Sequence, residues 1–254
     1  VSMLHISKRF LWMISLLTAV FFARAQGTQP RLYELRIYYC AQGKLALLVD
    51  RFARHTTKLF EKHGMENVGY WLPLDNKDSA LYYILAYPSR GFRDSAWSAF
   101  GADPNWIAVR NRYEAAGKIV DSVRSVFMET TDFSPSPTPL TGTHNRLFEC
   151  RTYTSPPGKL DNLLARFRQH TTKLFTKAGM ENIIYFRTLP ADGSPPQLLY
   201  LLGHADSASA RVAWQQFNAD PVWQEVKKSS EQQGPIVSSV VSVYLSPLPF
   251  SKIR

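Results

Sequence analysis

Arg31-Leu32-Tyr33-Glu34-Leu35-Arg36-Ile37-Tyr38 decides the fold, because the chain writes it twice. It returns as Arg146-Leu147-Phe148-Glu149-Cys150-Arg151-Thr152-Tyr153. The match continues in register on both sides of the sequence. Gly43-Lys44-Leu45 returns as Gly158-Lys159-Leu160, and His55-Thr56-Thr57-Lys58-Leu59-Phe60 as His170-Thr171-Thr172-Lys173-Leu174-Phe175. Gly64-Met65-Glu66-Asn67 returns as Gly179-Met180-Glu181-Asn182. After a small insertion near Asp192-Gly193, Trp97, Phe100, Ala102-Asp103-Pro104, Trp106 and Gly117 pair with Trp214, Phe217, Ala219-Asp220-Pro221, Trp223 and Gly234. So many matches in order mark an internal duplication.

Each copy reads strand, helix, strand, strand, helix, strand. Leu32 to Tyr39 is rich in Tyr, Leu and Ile and reads as a strand. Leu45, Leu48, Phe52, Thr56 and Leu59 recur at helical spacing, and Gly64 stops that helix. Met65 to Leu72 and Ala80 to Tyr87 read as strands joined by a turn over Pro73 to Ser79. Phe92 to Phe100 reads as helix, and Asp103-Pro104 restarts a helix as N-cap plus proline at the first turn. Ser122 to Thr130 is the last strand. This is the ferredoxin-like βαββαβ order. Such a unit covers one sheet face with helices and leaves the other open. The expected fold is therefore α+β: two tandem ferredoxin-like repeats, residues 31–133 and 146–246, packed sheet to sheet as a pseudo-dimeric α+β barrel. The Pro-rich stretch 134–145 joins them as an extended linker.

Strand alternation divides the repeated octapeptide into two faces. With Tyr33, Leu35 and Ile37 placed under the helices, Glu34, Arg36 and Tyr38 face the barrel interior, joined there by Glu149, Arg151 and Tyr153. Charges in an enclosed space must be paired. Two readings stand: Glu–Arg pairs that fix register, or a polar binding site in which Arg holds an anionic or carbonyl group. His55 and His170 border the apolar stripe of their helices. They are either boundary histidines or, in the sharper reading, a general base or haem ligand.

Other chemistries lack their residue patterns. No H-x-x-x-H, C-x-x-C or acidic cluster points to a metal. No phosphate loop, dinucleotide fingerprint or G-x-S-x-G is present, so no cofactor is called. Lys plus Arg is 30 against 20 Asp plus Glu, a formal +10, but the surplus is dispersed and no basic arm suggests nucleic acid. Hydrophobic residues at 45% and charged residues at 20% exclude a disordered chain. The two cysteines, Cys40 and Cys150, occupy unmatched places in the repeat and read as separate thiols. Lys8-Arg9, an apolar run from Phe10 to Phe22 and Ala23-Arg24-Ala25 read as a signal peptide over residues 1–25. The expectation is an exported protein, periplasmic or extracellular, with no stable membrane anchor after cleavage.

The ordered set Tyr33-Glu34-Leu35-Arg36-Ile37-Tyr38, Gly43-Lys44 and Asp103-Pro104-x-Trp106, repeated at Glu149-Cys150-Arg151-Thr152-Tyr153, Gly158-Lys159 and Asp220-Pro221-x-Trp223, resembles the NIPSNAP family. The resemblance covers nearly everything after residue 25, in two tandem domains. It implies membership of the dimeric α+β barrel superfamily, whose barrels serve as cofactor-free monooxygenases, haem proteins and isomerases. Three functions follow as alternatives. One is binding of a small, partly apolar ligand in or beside the barrel. Another is a monooxygenase- or isomerase-like enzyme using His55 or His170. The last is an interaction module with a filled barrel, homo-oligomeric assembly included. Cavity volume separates them: a large pocket lined by Arg36, Arg151 and aromatics favours a ligand or an enzyme, and a filled interior favours the interaction module.

Overall fold

The structure is a computed structural model and describes residues 31–136, 146–190 and 193–254. Residues 1–25, read above as a signal peptide, and most of the linker lie outside the described residues. Repeat 1 runs β1 (Leu32–Cys40), α1 (Leu45–Arg51), a π-helical turn (Phe52–Thr56), α2 (Thr57–Lys62), β2 (Glu66–Pro73), β3 (Ala80–Tyr87), α3 (Arg90–Ala102), α4 (Pro104–Tyr113) and β4 (Val120–Thr130). Repeat 2 has the same order: β5 (Leu147–Thr154), α5 (Leu160–Arg166), a π turn (Phe167–Thr171), α6 (Thr172–Lys177), β6 (Glu181–Thr188), β7 (Gln197–His204), α7 (Ser207–Ala219), α8 (Pro221–Ser230) and β8 (Ser239–Pro247).

Among the described residues eight antiparallel strands close one barrel in the order β1-β3-β2-β8-β5-β7-β6-β4. Two short seams join the halves. Trp71, Leu72 and Pro73 pair with Pro247, Ser246 and Leu245, and Met128, Glu129 and Thr130 pair with Thr188, Arg187 and Phe186. Closure removes the sheet edges at the seams and hides both open faces at once.

The interior corrects the expected face assignment. The alternation divides β1 as expected, but Tyr33, Leu35 and Ile37 point into the barrel and Glu34, Arg36 and Tyr38 point toward the helices. The same holds for Phe148 and Cys150 against Glu149, Arg151 and Tyr153. The interior is packed apolar matter shared by both repeats. Tyr33 meets Phe186 at 5.0 Å between ring centroids, and Trp71 meets Phe148 at 6.0 Å. The physical reason lies in the partners available. Inside the barrel a charge would face only other strands, whereas the helix layer supplies Arg93 and Trp97 from α3 to pair it. Gly69 is required by this packing, since the Trp71 ring lies across it and a Cβ there would stand 2.1 Å from the ring.

The long helix of each repeat carries one feature the periodicity did not predict. Leu48, Phe52, Thr56 and Phe60 are buried at strict four-residue spacing, wider than an α-helix turn. A π turn absorbs the excess, and the Thr56 and Thr57 hydroxyls donate to the carbonyls of Arg51 and Phe52, five residues back. Thr171 and Thr172 do the same in repeat 2. π turns concentrate at functional sites. Asp103 caps α4 through the N–H of Asn105 and also accepts from Lys62 and His63, tying α2 to α4. The hydrogen bonds from Lys62 and His63 hold its carboxyl below the usual carboxylate range.

Candidate functional site

The helix layer of repeat 1 contains a cavity of about 430 Å³ between β1, β4 and the helices. Tyr38 reaches it from β1, and Phe52, Thr56 and Phe60 from the π turn and α2. Trp97, Phe100 and Gly101 enter from α3, and Trp106 from α4. Val120 to Val123 of β4 supply the opposite wall. Arg51, Glu114, Lys118 and Asp121 are the charged groups on its surface. The rings form one connected aromatic lining: Phe60 and Trp97 at 5.3 Å, Phe100 and Trp106 at 4.5 Å, Tyr38 and Phe52 at 5.9 Å.

Two buried arginines hold the tryptophans in place. Arg36 stacks on Trp97 at 4.3 Å and Arg51 lies over Trp106 at 5.1 Å. Each such contact contributes more when desolvated than at a surface. Arg51 donates to Glu114 at 2.9 Å, and its Nε has no partner among the described residues. Arg36 donates to Glu34 at 2.6 Å and to the Tyr83 hydroxyl at 2.9 Å.

Glu34 is the hub behind the cavity. Its side chain is fully buried, yet it accepts from Arg36, from Arg93 at 2.8 and 3.0 Å, from Tyr87 at 2.9 Å and from Ser125 at 2.6 Å. Burial pushes its carboxyl upward, but the hydrogen bond from Arg93, the charge of Arg36 and the Ser125 hydroxyl outweigh that and hold it at about 2. Tyr87 in turn accepts from the Trp97 indole at 2.9 Å, so the ion cluster orients a cavity wall. Of the residues singled out from β1, Tyr38 therefore lines the cavity while Glu34 and Arg36 support it from behind.

Repeat 2 builds the counterpart with different partners. Glu149 accepts from Arg151 at 2.6 Å, Ser242 at 2.6 Å, the Trp214 indole at 2.7 Å and pairs with His204 at 3.1 Å. His204 and Ala210 stand where repeat 1 has Tyr87 and Arg93. Burial again opposes the ionised form, and His204, Ser242 and Arg151 hold the Glu149 carboxyl at about 2. Arg151 stacks on Trp214 at 4.1 Å, and Tyr153 packs on Phe167 at 5.8 Å.

His55 and His170 fall outside the aromatic cavity. His55 lies on the outer side of the π turn, against Arg112 at 2.7 Å and the Tyr113 ring at 5.7 Å. Desolvation and the Arg112 charge lower its pKa. His170 is exposed and borders a separate groove. The cysteines are both free and buried, Cys40 in the helix layer and Cys150 inside the barrel. Burial pushes their thiols up to about 11 and 12, away from nucleophilic use. Among the described residues no group of three potential ligands is placed to hold a metal, and no helix is long and apolar enough to cross a membrane.

Arg51, Thr56, Trp97, Trp106 and Glu114 were not singled out from sequence as site residues. The duplication carried the signal, since all five recur as Arg166, Thr171, Trp214, Trp223 and Glu231.

Comparison with known proteins agrees with this architecture. The family model described as NIPSNAP matches residues 33–135 and 148–252. A protein of Lactobacillus acidophilus NCFM described as a candidate monooxygenase is similar in fold. It has 10% identity and a TM-score of 0.57, covering 86% of this chain and 94% of its own. An anthrone oxidase-like protein is 11% identical, with a TM-score of 0.56 over 89% of this chain and 95% of its own. A NIPSNAP domain protein from Burkholderia xenovorans is 21% identical, with a TM-score of 0.37 over 41% of this chain and 99% of its own. Among curated proteins no sequence matches the chain.

Proposed function

The chain belongs to the NIPSNAP family, and from that premise we propose that it binds a small, partly apolar ligand beside the barrel rather than inside it. The cavity of repeat 1 carries the reading. It offers about 430 Å³ walled by aromatic rings, with Arg51 and Lys118 beside Glu114 and Asp121 for the polar end of a ligand. Flat rings would slide between Phe52, Trp97 and Trp106, and the two tryptophans are already held by Arg36, backed by Glu34, and by Arg51, so little ordering cost remains at binding. The filled barrel interior supports the same choice of place.

Native mass spectrometry of the protein purified from its own source tests the proposal. A bound small molecule is expected on the unmodified chain and not on Gly101→Phe, which puts a ring at the cavity rim. An unliganded mass in both, or an adduct that survives the substitution, would overturn it. The Lactobacillus acidophilus neighbour is described as a candidate monooxygenase, and oxygen uptake on return of the released compound to the protein would extend binding to oxygenation. Export remains part of the proposal. It is supported by the basic, apolar and Ala-Arg-Ala pattern of residues 1–25, and N-terminal sequencing of exported protein is expected to begin at Gln26.

A further inference from the structure

The two repeats line one groove differently. In repeat 1 Arg112 and Tyr113 lie against His55, and the open groove of about 540 Å³ that remains is lined by Leu47, Asp50, Arg54, Arg112 and Tyr113 and reaches neither His55 nor Arg51. Arg112 lies on the Nε2 of His55 at 2.7 Å, and Tyr113 packs against the ring while donating to Asp50 at 2.7 Å. Asp50 also accepts from Arg54 at 2.5 Å, which closes the cluster. In repeat 2 the histidine is kept as His170 and every one of its neighbours has been exchanged. Ser229 and Ser230 stand for Arg112 and Tyr113, Ala165 for Asp50 and Gln169 for Arg54. Two further exchanges add polarity: Asn162 for Leu47 and Glu225 for Ala108.

The result is a polar pocket of about 370 Å³ between α5, the second π turn and α8. Arg166 lines it although its side chain is only 4% exposed. One of its terminal nitrogens is taken by Glu231 at 2.9 Å and Ser230 at 3.2 Å, while its Nε has no partner among the described residues. The same arginine in repeat 1, Arg51, opens instead onto the aromatic cavity. The walls differ in sign. The α5 and π-turn wall carries Arg166, with His170 and the amides of Asn162 and Gln169, and the α8 wall carries the Glu225 carboxylate. Among the described residues no Phe, Tyr or Trp lines this pocket, so its chemistry is unlike that of the repeat 1 cavity.

We propose that this pocket is a second binding site, specific to repeat 2, for a small zwitterion of the α-amino acid class. The carboxylate lies toward Arg166 and His170, and the ammonium toward Glu225. A guanidinium and a carboxylate on facing walls are complementary to a ligand bearing both signs. The amides and the serine hydroxyls both donate and accept, and so can satisfy a short polar side chain. The site is independent of the aromatic cavity.

The test is isothermal titration calorimetry on the full chain at neutral pH with glycine, L-alanine and L-serine. N-acetyl-L-alanine, which lacks the ammonium, and L-alanine methyl ester, which lacks the carboxylate, are run beside them. At least one free amino acid is expected to bind, with each capped form weaker by about tenfold or more, the loss of one charge-assisted hydrogen bond. The double substitution Ser229→Arg/Ser230→Tyr copies the residues that lie against His55 in repeat 1, would cover His170 and Arg166 in the same way, and is expected to abolish binding. Glu225→Ala copies Ala108, leaves the packing untouched, and is expected to weaken binding about tenfold or more. The proposal is overturned if no free amino acid binds, if the capped forms bind equally well, or if binding survives both variants.

Discussion

Replacing Glu34 by alanine perturbs the layer that supports the cavity at its hub. The substitution removes the carboxylate shared by Arg36 and Arg93 and leaves the Tyr87 and Ser125 hydroxyls without their acceptor. Arg36 and Arg93 are only 11% and 18% exposed at their side chains, so water compensates poorly. Two routes give the size of the effect. A carboxyl held at about 2 against an ordinary 4.5 contributes about 3 kcal/mol at neutral pH. Breaking a buried pair by removing one member costs about 3–5 kcal/mol. Both point to a loss of about 3–5 kcal/mol, read as a lowered urea midpoint at unchanged slope. Glu149→Ala serves as the internal comparison. It strands one arginine, Arg151, where Glu34→Ala strands two, because Ala210 stands in place of Arg93, so its cost is expected to be smaller by about 1 kcal/mol or more. A Glu34→Ala loss below about 1 kcal/mol would place the cluster in solvent and refute the reasoning.

Acid should undo the same clusters. Because both folded-state carboxyls are depressed, their contribution is complete above pH 4.5 and disappears as pH falls from there through about 2. Denaturant midpoints across that range are expected to fall steeply in the unmodified protein and more gently in Glu34→Gln/Glu149→Gln; equal slopes would contradict this. Gly69→Ala is expected to push Trp71 off its seat against Phe148 at a cost of about 2–3 kcal/mol. Gly91→Ala, whose Cβ meets nothing within 4 Å, should leave stability unchanged or raise it by up to about 1 kcal/mol. Comparable urea midpoints for the two would remove the close approach from the account.

The duplication made the architecture legible, since each repeat could be read against the other and Ala80–Tyr87 emerged with its observed bounds. The direction of β1 was not legible. Alternation sorts residues by face, but both faces of this barrel are buried, one by the other repeat and one by helices, so solvent does not label them. What decides is whether a partner exists for the charge, and Arg93 and Trp97 lie far along the chain from Glu34 and Arg36. The π turn was hidden for a related reason. The helical reading carried the stripe Leu48, Phe52 and Thr56 on to Leu59, whereas the π turn carries it to the buried Phe60, and the Thr-Thr hydroxyl bonds that favour the wider turn became visible only in the backbone geometry. The cavity draws on seven elements, β1, α1, the π turn, α2, α3, α4 and β4, and has no local motif, though Thr56, Trp97 and Trp106 recur as Thr171, Trp214 and Trp223.

The claim that a ligand sits beside the barrel is tested most directly by fluorine NMR of protein carrying 5-fluorotryptophan, titrated with 8-anilinonaphthalene-1-sulfonate as an aromatic probe. Trp97 and Trp106 line the cavity, Trp71 lies inside the barrel, and Trp214 and Trp223 belong to repeat 2. The expected result is a saturable shift of the Trp97 and Trp106 resonances with Trp71 unmoved. A shift of Trp71 with Trp97 and Trp106 unmoved would place the ligand inside the barrel and contradict the account.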